Sequence, residues 1–183
     1  MHAVPHDPDS PPDNQEETLD LVDESNHVIG TVRRSEVHGN PRLQHRAVHV
    51  FVKNRKGEIF LQKRGRSKLV APGKWDTSAG GHLTAGQKYE EAALREMEEE
   101  LGLSKLNPSA LKHSHDYVWR SGVETEHVRT FIVESEGPFK LDITEIDEGR
   151  FWSPGEMRAA IGTGELSENL EAELEHLRIR GLD

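Results

Sequence analysis

The stretch at residues 80–103 constrains the fold of this chain more than any other part of its sequence. Its second half carries apolar residues at spacings of three and four, namely Ala93, Leu94, Met97 and Leu101, and Gly102 follows the last of them. That spacing places the apolar side chains on one face of a helix, and glycine is the residue that most often follows a helix end. The pattern therefore predicts an amphipathic helix that packs one face against a core.

A second face of this predicted helix carries three carboxylates, Glu96, Glu99 and Glu100. Like charges at these spacings destabilise an isolated helix by roughly 0.2–0.5 kcal/mol per pair. A divalent cation would reverse the sign of that effect, because hard cations such as Mg²⁺ take carboxylate oxygens and bridge to substrate phosphates. A solvated acidic face is the alternative interpretation, and the carboxylates alone do not separate the two.

The same stretch resembles the Nudix box, which reads Gly, five residues, Glu, seven residues, Arg-Glu, an apolar residue, any residue, Glu-Glu, any residue, Gly and an apolar residue. The matching residues are Gly81, Arg95, Glu96, Met97, Glu99, Glu100, Gly102 and Leu103. Gln87 occupies the place of the first glutamate of the box. Its amide still accepts a hydrogen bond, for example from Arg95, but it carries no charge. The chain is therefore similar to the Nudix hydrolases over about residues 18–162.

The resemblance implies an α/β fold, a Nudix-type α/β/α sandwich with a mixed central sheet. The chain order favours the same class, because strands alternate with helices through mostly short connections. Hairpins are predicted around a turn at residues 23–26, around a turn at residues 54–57, and between strands at residues 115–120 and 127–134. A capping box at Ser153 and Glu156 announces one helix, and Leu170, Leu174 and Leu177 mark another over about residues 167–178.

Composition limits the classes of function that this chain can have. Residues 1–16 are rich in Pro, Asp and Ser and are predicted to form a disordered lead, which leaves residues 17–183 as a single domain. The net charge of −10 disfavours broad binding to nucleic-acid backbones. Because the chain has no cysteine, disulfides, thiolate zinc sites and cysteine nucleophiles are excluded. No apolar run is long enough for a membrane helix, so a soluble cytoplasmic protein is expected.

Within the Nudix group, the chain looks most like the branch that includes isopentenyl-diphosphate isomerase. The likeness lies in residues 21–32 and 72–82 and in several histidines and glutamates. In that isomerase, three histidines and two glutamates bind one metal, and the residues at the matching places here are His38, His45, His82, Glu124 and Glu126. Such a set suits Zn²⁺ or Mn²⁺. The alternative is a group of exposed or hydrogen-bonded histidines without a ligand, and His49 and His127 are interpreted as packing residues.

The same resemblance separates hydrolysis from isomerisation. The catalytic cysteine of the isomerase falls at Gly80, so one partner of its carbon chemistry is missing. The isomerase also lacks the complete Arg-Glu-x-x-Glu-Glu cluster that residues 95–100 provide. Both departures favour hydrolysis of a diphosphate linkage between a nucleoside phosphate and another group. An isomerase and a catalytically quiet nucleotide-binding domain, which Gln87 alone supports, remain as alternatives.

The resemblance also implies roles for individual residues. Glu96, Glu99 and Glu100, with the Gly80 carbonyl, would hold Mg²⁺ or Mn²⁺, and the base that takes a proton from water would be Glu99, Glu100, Glu145 or Glu148. Lys63, Arg64 and Lys74, in a basic stretch that is otherwise a solvated loop, would take the outer phosphates. Gly81, Gln87, Arg95 and Gly102 would be structural members of the box. Trp75 or Trp119 would stack on a base or belong to the core. The substrate is expected to be a small diphosphate, and the family suggests a homodimer.

Overall fold

A computed structural model describes residues 15–179 of the chain, and the predicted lead at residues 1–16 lies almost wholly outside them. The strands are β1 (Thr18–Val22), β2 (Val28–Arg33), β3 (Gln44–Lys53), β4 (Ile59–Arg64), β5 (Trp75–Asp76), β6 (Ala79–His82), β7 (Lys112–Arg120), β8 (Thr125–Glu134) and β9 (Ile146–Trp152). The helices are α1 (Arg34–Val37), α2 (Tyr89–Leu101), α3 (Pro154–Ala160) and α4 (Glu168–Ile179), with a short 3-10 helix at Pro108–Ala110. None of these helices is long and apolar enough to cross a membrane.

The strands form one mixed sheet around β3. Strand β8 runs parallel to β3 along its whole length, from Gln44 opposite Thr125 to Lys53 opposite Glu134. The other edge of β3 is shared in turn by β1, β6 and β4, all antiparallel to it. Because β6 and β4 take different parts of that edge, the ends of several strands meet beside β6, where the candidate site lies.

The two faces of the sheet carry separate cores because side chains alternate along β3. Val48, Val50 and Val52 face α2 and pack against its buried residues, which include Met97 and Leu101. The neighbouring residues of β3 face the opposite way, where Phe51 packs in a second core with buried side chains of α3 and α4. This arrangement confirms the predicted α/β/α sandwich with a mixed sheet.

Local sequence signals explain where the helices and hairpins begin and end. Gly102 adopts the left-handed conformation (φ 66°) and its N–H bonds to the carbonyl of Glu98, so α2 ends where the sequence predicts. The Ser153 side chain caps α3 in a reciprocal pair with Glu156, as predicted. The three predicted hairpins are also confirmed, as β1–β2, β3–β4 and β7–β8.

Candidate active site

A cavity of about 630 Å³ lies between α2, β6 and the N-terminal end of α4. It is lined by two groups of acidic and histidine residues that come from different parts of the sheet, and by several cations. We call Glu96, Glu99 and Glu100 the helix cluster, and we call His38, His45, His82, Glu124 and Glu126 the histidine cluster. All of these residues except His45 line the cavity directly.

The three carboxylates of the helix cluster differ in exposure. Glu96 and Glu100 are buried, whereas Glu99 is exposed. Glu100 Oε2 accepts a hydrogen bond from the amide of Gln62 at 2.9 Å and another from the N–H of Gly80 at 3.1 Å. Gln62 was not predicted, because a polar residue on a β-strand gives no indication that it faces a carboxylate on a distant helix.

Burial disfavours the charged forms of these carboxylates. It raises the pKa of Glu96 to about 7. The positive charge of Arg95 opposes this rise, and the negative charges of Glu99 and Glu145 add to it. Burial and then the charge of Glu96 raise the pKa of Glu100 well above its usual range. A divalent cation would reverse both shifts by stabilising the ionised oxygens. Buried carboxylates that repel one another therefore fit a cation site better than they fit a solvated face.

The two glycines of β6 allow close packing, of Gly81 against the helix cluster and of Gly80 against β3. A methyl group at Gly81 would overlap the Glu96 carboxylate, so any side chain there would displace it. A methyl group at Gly80 would lie 2.9 Å from the carbonyl oxygen of Val48 and 3.0 Å from His49 Cδ2. Gly80 also lines the cavity beside the carboxylates, as a role for its carbonyl in holding a cation would require.

Arg95 joins the helix cluster to β6. Its Nη1 lies 2.7 Å from Glu96 Oε1 and 3.1 Å from Glu99 Oε2, and its Nη2 donates to the carbonyl of His82 at 2.9 Å. The same Nη2 donates to Gln87 Oε1 at 3.4 Å. Arg95 therefore orients two carboxylates and contacts the strand that carries His82, and Gln87 acts as its neutral acceptor.

The histidine cluster converges from four separate segments. One ligand atom from each of His45, His82, Glu124 and Glu126 lies within 4.8 Å of the others, and His38 Nε2 is 3.8 Å from Glu124 Oε2. The parallel pairing of β3 with β8 places His45 opposite Glu126, and β6 brings His82 alongside. His82 Nε2 lies 3.0 Å from Glu126 Oε1. All five residues that the resemblance singled out are thus neighbours.

The fit of this cluster to a metal ion can be tested on its buried polar atoms. His45 is fully buried, and among the described residues neither of its ring nitrogens has a hydrogen-bond partner. Unsatisfied buried nitrogens are rare in folded proteins because they lose their bonds to water without replacement. Ligand atoms lie about 2.0–2.2 Å from the ion that they bind, so atoms that share one ion are close together. The four ligand atoms here, all within 4.8 Å of one another, meet that requirement. The residues present therefore fit a metal.

Mutual interactions set the protonation of the histidine cluster. Burial lowers the pKa of His82 to about 4, which keeps its ring neutral as a metal ligand must be. Burial, and then the charge of Glu126, raise the pKa of Glu124 to about 7. Burial alone would raise the pKa of Glu126, but its contacts with His45, at 3.5 Å, and with His82, at 3.0 Å, lower it overall, well below its usual range.

The predicted cations are not all placed at the cavity. Arg64, Lys68 and Lys74 line it, whereas Lys63 lies over the ring of Trp75, outside the lining. Arg64 Nη1 is 3.3 Å from Asp76 Oδ2, and its Nε donates to a loop carbonyl, so its guanidinium is held in place. These contacts hold the charge of Arg64 at the cavity wall.

The other predicted residues divide between the cavity and its surroundings. Glu145 lines the cavity and pairs with Lys68 at 3.0 Å, whereas Glu148 is exposed on β9 and does not line it. Trp119 lines the cavity, and Trp75 packs in the core against Trp152 with ring centroids 5.1 Å apart. Of these predicted residues, the indole of Trp119 and the carboxylate of Glu145 therefore line the cavity.

One buried carboxylate near the cavity was not predicted. Glu173 of α4 is fully buried, and its Oε2 lies 2.6 Å from His49 Nδ1. Burial opposes the charged form of His49, but Glu173 outweighs it and raises the pKa of His49 to about 9, while His49 lowers the pKa of Glu173 to about 2. A signal was present in the sequence, since Glu173 follows Leu170 by three positions and so lies on the apolar face of α4.

Known proteins resemble this chain in sequence and in fold. A family model described as NUDIX domain matches residues 43–170. An uncharacterized Nudix hydrolase of Yersinia pestis is 40% identical over 147 residues, which cover 78% of this chain and 76% of that protein. An isopentenyl-diphosphate Delta-isomerase of Streptomyces avermitilis is 32% identical over 142 residues, covering 76% and 72% of the two chains. The crystal structure of DR0079 from Deinococcus radiodurans superposes with a TM-score of 0.72 at 26% identity, covering 87% of this chain and 98% of that one.

Proposed function

The chain belongs to the Nudix family, and from that premise we propose that it is a metal-dependent hydrolase of a diphosphate linkage in a nucleoside phosphate derivative. The observation that carries the proposal is the arrangement of charges in one cavity. The helix cluster and the side chains of Arg64, Lys68 and Lys74 line the same space. Carboxylates that hold a cation, together with positively charged side chains in the same cavity, can bind a diphosphate between them.

The residues that would hold Mg²⁺ or Mn²⁺ are Glu96, Glu99 and Glu100, with the carbonyl of Gly80. When bound, such ions neutralise diphosphate oxygens and lower the pKa of a coordinated water. Arg95 fixes the orientation of Glu96 and Glu99 through contacts of 2.7 and 3.1 Å. Because these positions are set before substrate arrives, little reorganisation is needed during the reaction.

The candidates for general base differ in how firmly they are held. Glu100 accepts two hydrogen bonds on one oxygen, which suits a fixed ligand more than a group that must take up a proton. Glu99 is exposed at the cavity and Glu145 lines it, and each is held by an ion pair, with Arg95 and with Lys68, so either carboxylate can reach a water near the cluster more readily than Glu100 can. We therefore assign the proton transfer to Glu99 or Glu145, with Glu100 as a ligand.

The histidine cluster is proposed as a second metal site for Zn²⁺ or Mn²⁺. Its imidazole and carboxylate donors match the preferences of these ions, and the unbonded ring nitrogens of the buried His45 support the assignment. Trp119, which lines the cavity near this cluster, is proposed to stack on the nucleoside base.

The test is a hydrolysis screen of nucleoside di- and triphosphates, nucleotide sugars and dinucleotide cofactors with Mg²⁺ or Mn²⁺. We expect release of a phosphate-bearing product from at least one substrate, and its loss when a chelator is added. Binding of a nucleotide without turnover on any substrate would instead support the catalytically quiet domain. Turnover that persists in the chelator would contradict the metal-dependent mechanism.

An isomerase acting on isopentenyl diphosphate is the second candidate, favoured by the assembled histidine cluster and by the relative at 32% identity. Against it stands Gly80, where the isomerase has its catalytic cysteine. A side chain there would press on the Val48 carbonyl and on His49, so the space for a thiol is occupied. Incubation with isopentenyl diphosphate separates the two candidates, since formation of dimethylallyl diphosphate would overturn the hydrolase proposal.

A further inference from the structure

A buried polar network lies between α4 and the sheet, beside the cavity but outside both clusters. We define it as His49, Tyr117, Thr130, Asn169 and Glu173. Glu173 is its centre, with His49 Nδ1 at 2.6 Å and Tyr117 Oη at 3.2 Å from Oε2, while Thr130 Oγ1 donates to Oε1. Tyr117 Oη also lies 2.6 Å from Asn169 Oδ1, and its single O–H donates to either Asn169 or Glu173, one at a time. The network therefore links three strands to one helix.

Stability alone gives little reason to retain such a network. Well-packed apolar residues of similar volume often replace a buried ion pair at no loss of stability, because burying charges carries a large desolvation cost. The remaining residues on this face of α4, Leu170, Leu174 and Leu177, are apolar and pack in the second core. Glu173 Oε1 also lies 3.3 Å from His115 Nε2 on β7. A carboxylate amid these leucines that contacts four polar side chains of the sheet is better explained by what it positions.

Two members of the network reach the cavity wall. His49 and Asn169 both line the cavity, next to Gly80 and Ser167. Because Nδ1 of His49 is bound to Glu173, the opposite edge of the ring, with Cδ2 and Nε2, is turned towards Gly80. The Asn169 amide is fixed through its Oδ1, which leaves its Nδ2 as the remaining hydrogen-bonding group. Both side chains are thus oriented by the network before any ligand binds.

The charges around this wall exclude some ligands and favour others. The charge of His49 is paired with the buried Glu173, and Asp76 and Glu168 also line the cavity, so this wall favours a phosphate less than the part lined by Lys68 and Lys74 does. An apolar chain would leave the His49 and Asn169 groups unpaired, which is costly in a desolvated site. A hydroxyl both donates and accepts, and so it can pair with His49 Nε2 in either protonation state and with the Asn169 amide.

From this arrangement we propose that His49 and Asn169 form a subsite for a hydroxyl-bearing group of the substrate, such as a sugar ring, and that the buried Glu173 positions them. The inference rests on the proposed function, because it places this group next to the diphosphate bound between the helix cluster and the cations. It names the substrate class more narrowly, as diphosphates that carry a polyhydroxyl ring rather than an apolar chain. His49 and Asn169 are then specificity residues, and Glu173 is a positioning residue.

The test uses substrate pairs that differ only in ring hydroxyls. ADP-glucose and UDP-glucose are each compared with the matching nucleoside diphosphate ester of cyclohexanol, which keeps the ring and removes its hydroxyls. Binding is measured by calorimetry with Ca²⁺, and hydrolysis is measured separately with Mg²⁺. We expect at least one glucose ligand to bind about 10-fold or more tightly than its cyclohexyl counterpart, since one well-placed hydrogen bond in a buried site gives about that factor.

Two variants locate the preference in the subsite. Asn169→Leu keeps the approximate volume and removes the amide, while Tyr117 retains its bond to Glu173. His49→Asn places an amide near the position of Nδ1, which keeps the bond to Glu173 and removes Nε2. Each should reduce the preference for glucose to within about 3-fold of unity. Glu173→Gln should weaken the preference less, since a neutral amide still bonds to part of the network. Val118→Ala, exposed on the same strand as Tyr117, is the control and should change nothing.

The outcomes separate this inference from the proposed function. Preference for glucose that the two variants abolish supports the subsite, even if the wild type hydrolyses none of the ligands and the hydrolase proposal fails. Equal binding of glucose and cyclohexyl ligands, an undiminished preference in both variants, or no binding of any of the four ligands would overturn the subsite. Circular dichroism of each variant establishes that a lost preference is not a lost fold.

Discussion

The two clusters that line the cavity are built in opposite ways. The helix cluster comes from a single turn of α2, has Glu99 exposed, and lies next to the positive charge of Arg95. The histidine cluster draws its residues from the end of α1, from β3, from β6 and from the start of β8, and its centre is buried. A site on one helix can lose or change its ion without a change of fold, whereas a buried site spread over the sheet is tied to the tertiary structure. We therefore propose that turnover belongs to the helix cluster and that the histidine cluster holds a more permanent ion.

The largest expected effect concerns catalysis at the helix cluster. Glu99→Gln and Glu100→Gln should each lower kcat by at least about 10²-fold on any substrate found, because each removes a charged base or ligand at the reacting diphosphate. Glu98→Gln is the matched control, since it removes the same charge from the same turn at an exposed position that does not line the cavity. Steady-state kinetics with Mg²⁺ measure the effect. Equal rates in all three variants would break the assignment of turnover to this cluster.

The histidine cluster should respond in metal affinity more than in chemistry. His82→Gln removes one ligand, and we expect the affinity for Zn²⁺ or Mn²⁺ at this cluster to fall by at least about 10-fold, the lower bound seen even for residues that only support a ligand. Mg²⁺ binding at the helix cluster should stay within about 2-fold of wild type if the two sites are independent.

Calorimetric titration of the metal-free protein with each ion measures both affinities. His27→Gln, at an exposed histidine of the first hairpin, is the control. The titration could instead show a single class of binding site whose affinity falls equally in His82→Gln and Glu99→Gln. That result would mean that the two clusters hold one shared ion and would contradict their separate roles.

The sequence revealed these two clusters to different degrees, for a physical reason. The helix cluster follows from spacing alone, because residues three and four apart share a helix face. The histidine cluster depends on the parallel register of β3 with β8, which places His45 opposite Glu126, a residue 81 positions later in the chain. No local pattern fixes such a register, so these residues could be named only through the resemblance to the isomerase branch.

The fold, like the clusters, could be predicted where neighbouring residues decide the structure and not where distant ones do. Hairpin turns and helix caps were predictable because they are decided by a few neighbouring residues, as at Ser153 and Gly102. The prediction from sequence failed for one of two neighbouring residues on a strand. Lys63 and Arg64 are adjacent in the chain, but successive residues of β4 point to opposite faces, so Arg64 reaches the cavity and Lys63 lies over Trp75.

The free energy of unfolding of the metal-free protein should depend on pH in opposite directions through Glu96 and through His82. Glu96 has its pKa raised to about 7 in the folded state, so the folded protein holds a proton that the unfolded chain has released above about pH 4.5. The stability that this protonated carboxyl contributes is present below pH 4.5 and is lost as the pH rises through 7. We expect a loss of about 1–2 kcal/mol, below the roughly 3 kcal/mol of the full shift because Glu100 shares it.

Glu96→Gln should remove that loss, so its free energy of unfolding should fall less between pH 5 and pH 8 than that of the wild type. Urea unfolding of the metal-free proteins at several pH values measures the difference, with Glu98→Gln as the control. At the histidine cluster the sign is reversed for His82, whose pKa is lowered to about 4, so protonation below pH 6.5 favours the unfolded state. Parallel curves for wild type and Glu96→Gln would show that Glu96 is not the protonated group.

The smallest effect is expected at Gln87, the one departure from the Nudix box. Gln87→Glu would place a charge beside Arg95, whose Nη2 already donates to Gln87 Oε1 at 3.4 Å and to the His82 carbonyl at 2.9 Å. A partly exposed ion pair of this kind contributes about 0.2–1 kcal/mol, so we expect a rise in thermal stability of that size and a change in kcat of less than about 5-fold. Because Arg95 is the contact between the clusters, the direction of the change is informative. A gain in Mg²⁺ affinity alone would mean that the new charge acts on the helix cluster, whereas a simultaneous change in Zn²⁺ or Mn²⁺ affinity at the histidine cluster would show that Arg95 couples the two.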